Sequence, residues 1–234
     1  MARQQKRLKK QELREDPLMT ALTNAQIWLA EHGKKLAIGV VVVAVVVVAV
    51  VMLGNMRTEA DLESRRAFAE AQLELAQTNP EDMIPPLLRV ADEYSGTSGG
   101  AEALYTAAEM ALNNLDNERA AELFQRFLDE YSSEYLLPEG AMGGLATAYM
   151  NLGQYQEAAD TYIKLANDKR ASHYRYFALL NAAEAYVKLE QYDKAREVLN
   201  TVVEEKSATV SDFRTRAQEE LARIDVLADS VGLP

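Results

Sequence analysis

AYMNLGQYQEAADTY, residues 148–162, returns as AYVKLEQYDKAREVL at residues 185–199. Tyr149, Gly153, Tyr155, Ala158 and Tyr162 correspond to Tyr186, Glu190, Tyr192, Ala195 and Leu199, at a constant offset of 37 residues. A weaker copy lies upstream in MALNNLDNERAAELF, residues 110–124, where Ala111, Leu115, Asn117, Ala120 and Phe124 sit 38 residues earlier. Each copy carries apolar residues at helical spacing on both sides of a short turn, so each reads as the heart of a helix pair. Ala120, Ala158 and Ala195 stand where the second helix crosses the first, and a larger side chain there would force the axes apart. Phe124, Tyr149, Tyr162 and Tyr186 fill the space beside that crossing. One such pair cannot bury its apolar face alone, so the pairs must stack.

The spacing and the fixed small and aromatic positions resemble the tetratricopeptide repeat, a pair of antiparallel helices of about 34 residues. The connections here are three or four residues longer, and the usual inter-repeat proline is missing. Working outward, residues 59–77 read as one helix and PEDMIPPLLRVADEY, residues 80–94, as its partner. Pro85 and Pro86 are tolerated only in a first turn, which places the start of that partner near Ile84. SGTSGG, residues 95–100, reads as the clearest loop of the region. Downstream, DFRTRAQEELARIDVLA puts Phe213, Ala217, Leu221, Ile224 and Ala228 on one face, as a capping helix requires.

Ahead of the repeats, no charged residue occurs for 21 positions between Lys35 and Arg57, and LAIGVVVVAVVVVAVVML, Leu36 to Leu53, is unbroken hydrocarbon. As a helix this run spans roughly 31 Å, matching a hydrocarbon core of about 30 Å. Ten of its residues are Val, disfavoured in helices in water. In lipid a lone chain has no other way to satisfy its backbone groups, and each central Val favours insertion by about 0.3 kcal/mol or more. The run is too long for a buried strand or a signal-peptide core, and its exit, MLGNMR, lacks a small-residue cleavage pattern. Leu18, Leu22, Ala25 and Leu29 recur at helical spacing before it, with Trp28 placed for the headgroup level.

The first 35 residues hold eight Lys or Arg against four acids, including the stretch KRLKK at residues 6–10; 17 basic and 32 acidic residues remain, a net of −15. The positive-inside rule keeps the basic tail in the cytoplasm and sends the acidic part across. The sequence therefore predicts an all-α protein: a single transmembrane helix followed by a tetratricopeptide-type α-solenoid of about four helix pairs plus a C-terminal capping helix. The expected divisions are 1–35, a basic cytoplasmic tail with a juxtamembrane helix; 36–56, the transmembrane helix; and 57–234, an extracytoplasmic repeat domain.

The juncture WLAEHGKKLAIGV, residues 28–40, resembles the segment leading into the membrane span of the YfgM-like ancillary subunits of the SecYEG translocon. That resemblance implies a single-pass protein of the bacterial inner membrane with a periplasmic tetratricopeptide-like domain. The partners it implies are the SecYEG translocon, periplasmic chaperones and nascent secreted chains. AAELFQRFLDEYSSE, residues 120–134, is also similar to repeats of envelope proteins of the Tol-Pal and outer-membrane assembly systems, which implies the alternative role of a cell-envelope coordinator.

Chemistry is hard to assemble from this composition. The chain has no Cys and two His, His32 and His173, which the predicted topology puts on opposite sides of the membrane, so no metal site of the common types is expected. It carries no nucleophile elbow, P-loop or dinucleotide fingerprint, so neither a cofactor nor catalysis is expected. Adjacent carboxylates such as Glu81 with Asp82, Glu204 with Glu205 and Glu219 with Glu220 read as solvated helix faces. Net negative charge disfavours nucleic acid. What remains is a protein-binding surface. In stacked repeats the first helices line a groove, and the repeat register turns Tyr105, Glu109, Thr147, Asn151, Glu184 and Lys188 toward it. Gly143 and Gly144 read as a close helix approach or a shallow place in that groove.

Overall fold

In the computed structural model, residues 17–75, 84–131, 138–207 and 210–231 are described. Among them every regular element is helical, in the order α1 Pro17–Leu75, α2 Ile84–Glu93, α3 Ser98–Asn113, α4 Asn117–Tyr131, α5 Pro138–Asn151, α6 Tyr155–Asn167, α7 Arg175–Lys188, α8 Tyr192–Val203 and α9 Ser211–Val231, with a 3-10 turn at Lys169–Ala171. The basic stretch 6–10, residues 76–83 of the expected first pair, and residues 132–134 lie outside the described residues. The chain divides into two units, Met1–Met56 and Arg57–Pro234.

The first unit holds the apolar run. Its side chains are exposed within this unit: Val40, Val45 and Val50 are 60%, 62% and 62% exposed. The helix is long and apolar enough to cross a membrane. Trp28 stacks on His32 at 5.1 Å, one turn later on the same face. The sequence suggests separate helices over 18–29, 36–56 and 59–77; instead one helix is continuous from Pro17 to Leu75. Nothing in the residues stops it: Pro17 occupies a first-turn position, no proline follows before Leu75, and Gly33, Gly39 and Gly54 stand alone.

The second unit is a stack of antiparallel pairs, each helix from α2 onward packing on its successor in chain order. Residues 57–75 with α2, then α3 with α4, α5 with α6, and α7 with α8, make four pairs, and α9 covers the last. The crossing alanines Ala120, Ala158 and Ala195 are fully buried, as the repeat register requires. α5 holds the stack together. Ala141, Leu145 and Ala148 join the core built from α1 to α4, while Met142 and Ala146 join the core that runs on through α9. On α9, Ala217, Ile224 and Ala228 are buried, with Phe213 and Leu221 packed beside them.

The turn inside each repeated pair is the same device three times over. Leu115, Gly153 and Glu190 share a register position and all adopt positive φ, at 63°, 73° and 59°. Their amides donate to Leu112, Met150 and Val187, and the following amides of Asp116, Gln154 and Gln191 reach back to Ala111, Tyr149 and Tyr186. This is the Schellman closure, which satisfies the last carbonyls of each first helix.

SGTSGG is the place where the expected loop gives way. Only Tyr94 to Thr97 form a turn, and Ser98, Gly99 and Gly100 are the first turn of α3. The Thr97 hydroxyl caps it by accepting from the Gly100 amide at 3.2 Å. From α1, Asp61 Oδ1 accepts from the Ser98 amide at 2.8 Å and from its hydroxyl at 2.5 Å. The Ser64 hydroxyl accepts from the Gly99 amide at 3.2 Å. The glycines serve close approach: a Cβ at Gly99 would fall on the Ser64 backbone, and one at Gly100 on the Tyr94 carbonyl. Pro85 and Pro86 do sit in the first turn of α2, where their missing donors cost nothing.

Candidate interaction groove

The first helices α3, α5 and α7 present the six residues singled out by register, and the structure sorts them into three kinds. Glu109, Glu184 and Lys188 are exposed. Tyr105 is half-buried, its ring edge-on to Phe124 at 5.9 Å and to Phe127 at 5.6 Å. Burial, followed by the negative charge of the Glu109 carboxylate and a hydrogen bond to it, pushes the Tyr105 hydroxyl far above the ordinary phenol range. Half-buried Thr147 and exposed Asn151 each bond to a neighbouring helix. The Thr147 hydroxyl lies 2.8 Å from the Gly143 carbonyl, to which it donates, and 3.0 Å from the Tyr162 hydroxyl. The Asn151 amide donates to Asn117 Oδ1 at 2.9 Å, tying the end of α5 to the start of α4.

Tyr105 and Glu109 stand one turn apart on α3, and Thr147 of α5 reaches the hydroxyl of Tyr162 on α6. That phenol is raised first by burial, lowered by its bond to Thr147 and raised again by the negative charge of Glu184. Register reading gives Tyr162 only a packing role. It also misses Tyr174 and Phe177 near the start of α7, large aromatics left 39% and 40% exposed, and Gly140, whose missing Cβ makes room for the Tyr105 hydroxyl. Phe177 does carry a signal, since it follows Gly140 by the repeat offset of 37.

The two glycines of α5 are not alike. A Cβ at Gly144 would fall on the ring of Phe124, so this residue sets how closely α4 and α5 pack. At Gly143 the nearest atom to such a Cβ is Leu165 Cδ2 at 3.8 Å, an ordinary contact, and the residue is half-buried. A separate cleft of about 680 Å³ opens between α4 and α6, with Leu128, Met142, Leu145 and Tyr149 among its lining. At its rim the Arg170 guanidinium, 2.7 Å from Asp168, holds that carboxyl below its usual range. Among the described residues no three His, Asp or Glu gather as a metal site.

The family model for the tetratricopeptide repeat-like domain matches residues 26–162, more than half of the chain. The chain belongs to the tetratricopeptide repeat-like family. A second model, the tetratricopeptide repeat, matches residues 177–205, which hold most of α7 and all of α8. Its fold is also that of solved structures. A MamA RS-1 double mutant is 19% identical with a TM-score of 0.54, covering 71% of this chain and 85% of its own. A Podosopora anserina chain of nearly identical TPR-like repeats is 20% identical with a TM-score of 0.51, covering 74% of this chain and 88% of its own. At these identities the likeness concerns the fold. No curated protein matches.

Proposed function

We propose that this is a membrane-tethered scaffold for protein–protein interaction, working by binding and not by catalysis, as an accessory factor of the secretion translocon in the bacterial inner membrane. The observation that carries the reading is the apolar helix. Eighteen consecutive residues from Leu36 to Leu53 carry no charge and stand exposed along one helix, an arrangement that lipid tolerates better than water. The family match begins at residue 26 and so takes in this run together with the first repeats, which favours an anchor that belongs to the architecture. Tethering raises the effective concentration of the repeats toward membrane-bound partners, so weak contacts suffice.

In this reading the first 35 residues are cytoplasmic, the basic tail holding that side, and the acidic repeats are periplasmic. Translocon subunits, periplasmic chaperones and emerging secreted chains are the partner classes, met through a face that includes Tyr105, Glu109, Thr147, Asn151, Glu184 and Lys188. Of these, Glu109, Asn151, Glu184 and Lys188 have the exposure that direct contact needs, while Thr147 is half-buried against Tyr162.

Two experiments test this. Protease added to spheroplasts should digest the repeats; repeats that survive until lysis would reverse the orientation and remove the secretion role. Crosslinking in intact cells, followed by capture of the full-length protein in mild detergent, should recover translocon subunits and chaperones. Recovery of cell-wall or outer-membrane assembly components in their place would assign the chain to envelope coordination.

A further inference from the structure

The wide cleft between α4 and α6 shares no residue with the six of the first-helix face. Its floor follows one stripe of α5: Pro138, Met142, Leu145 and Tyr149 recur at helical spacing over three turns, about 16 Å of length. The walls run antiparallel to that floor. Asn151 bonds to Asn117 while Gly144 abuts Phe124 of α4, and Thr147 meets Tyr162 while Gly143 faces Leu165 of α6. Asp129 therefore stands at the Pro138 end of the cleft, and Glu157 and Asp160 stand at the Tyr149 end.

The register explains why the cleft is open. One repeat later the positions of Gln125 and Thr161 are held by Ile163 and Val198, aliphatic side chains packed onto the core. Gln125 and Thr161 are instead engaged along their own helices, Gln125 donating to Asp129 at 2.9 Å and Thr161 to the Glu157 carbonyl at 2.7 Å. Half-buried Leu128 and Tyr149 are thereby left accessible above a bottom closed by Met142 and Leu145, at the seam where the two cores meet.

Both ends are acidic. At the Pro138 end two carboxylates, Asp129 and Asp168, stand against Arg170, which is spent on Asp168 at 2.7 Å. At the Tyr149 end Glu157 and Asp160 stand together, and Lys164 lies level with the middle of the floor. Asp129 and Asp160 accept from the neutral amides of Gln125 and Gln156, and among the described residues neither they nor Glu157 pairs with a base. An apolar strip between acidic ends selects an apolar segment with basic ends. Such a segment must also keep its own backbone groups bonded, because every regular element among the described residues is helical and offers no sheet edge. A helix does this internally.

We propose that this cleft is a second interaction surface and takes a three-turn amphipathic helix of a protein partner. The apolar stripe of that helix rests on Leu128 and Tyr149, and its lysine or arginine residues meet Asp129 at one end and Glu157 with Asp160 at the other. The surface lies outside the six residues assigned to the first-helix face, so the scaffold engages two partners at once.

The test uses the full-length protein in nanodiscs of zwitterionic phosphatidylcholine, with empty nanodiscs as the blank. The probes are fluorescein-labelled peptides of about 14 residues, three turns with short flanks. One is a leucine-striped helix with Lys at both ends, one carries Glu in place of Lys, and one is a scramble of the first that keeps its charges and loses its stripe. Fluorescence anisotropy should show the Lys-ended helix binding about tenfold or more tightly than the other two. Asp129→Lys with Asp160→Lys, both at exposed positions, should reverse the order, weakening the Lys-ended helix and strengthening the Glu-ended one by about tenfold each. Thr161→Trp, which fills the cleft with an indole, should weaken the Lys-ended helix by about tenfold with helical circular dichroism unchanged. The inference falls if the scramble binds as well as the striped helix, if the charge-reversed protein keeps the original order, if folded Thr161→Trp binds undiminished, or if no peptide binds. None of these results bears on the first-helix face.

Discussion

Residue by residue, the repeat positions are less uniform in what they demand than in what they contain. Leu115, Gly153 and Glu190 all turn left-handed, but only glycine does so without a steric cost of about 1–2 kcal/mol. Leu115 is 76% exposed, so its side chain gives little back through burial. Leu115→Gly should therefore raise stability by about 1 kcal/mol, read as a higher urea midpoint with unchanged slope. The adjacent glycines of α5 make a sharper pair. Gly144→Ala places a methyl on the Phe124 ring and should cost about 1–3 kcal/mol. Gly143→Ala meets only Leu165 at ordinary distance and should gain up to about 1 kcal/mol of helix propensity. Thermal melts of the two variants should shift in opposite directions. The sequence reads GG and cannot say which is which, because the difference lies in whether a ring from another helix arrives overhead.

For whole elements, legibility followed local chemistry. The start of α2 at Ile84 was readable because two prolines fit nowhere but a first turn, and the buried face of α9 was readable from periodicity alone. The start of α3 was not. Thr97-Ser98-Gly99-Gly100 has the composition of a loop, and it becomes helix through partners 33 to 37 residues away: Asp61 and Ser64, joined by Arg65, whose Nε donates to Ser98 Oγ at 2.8 Å. Bonds from the Ser98 hydroxyl and amide, foremost, hold the Asp61 carboxyl below its ordinary value. A lowered carboxylate contributes stability that is complete above the unfolded pKa of about 3.9 and is lost as pH falls through the lower folded value. Asp61→Ala should thus cost about 1 kcal/mol at pH 7, as removal of a helix cap does, and the gap from the parent should narrow below about pH 4. Denaturant titrations at pH 7 and pH 3 measure both limbs.

At the scale of the molecule, the all-helical stack and the membrane-length helix were both legible, the first from offsets of 37 and 38 residues and the second from 21 uncharged positions. The bonds of Thr147 to Tyr162 and of Asn151 to Asn117 were not, since they join different helices with no shared pattern in the chain. Val45→Arg with Val46→Arg should weaken insertion by about 2.5–3.5 kcal/mol per charge and move the protein into the carbonate-extractable fraction. The division of labour within α5 reaches further still. Repeats that touch only their neighbours come apart piecemeal, but here a single short helix supplies the floor of one core and the ceiling of the next. Stretched between Arg57 and Pro234 in a force instrument, this stack should resist until that shared helix yields and then give way in one large rupture, with no staircase of repeat-sized steps.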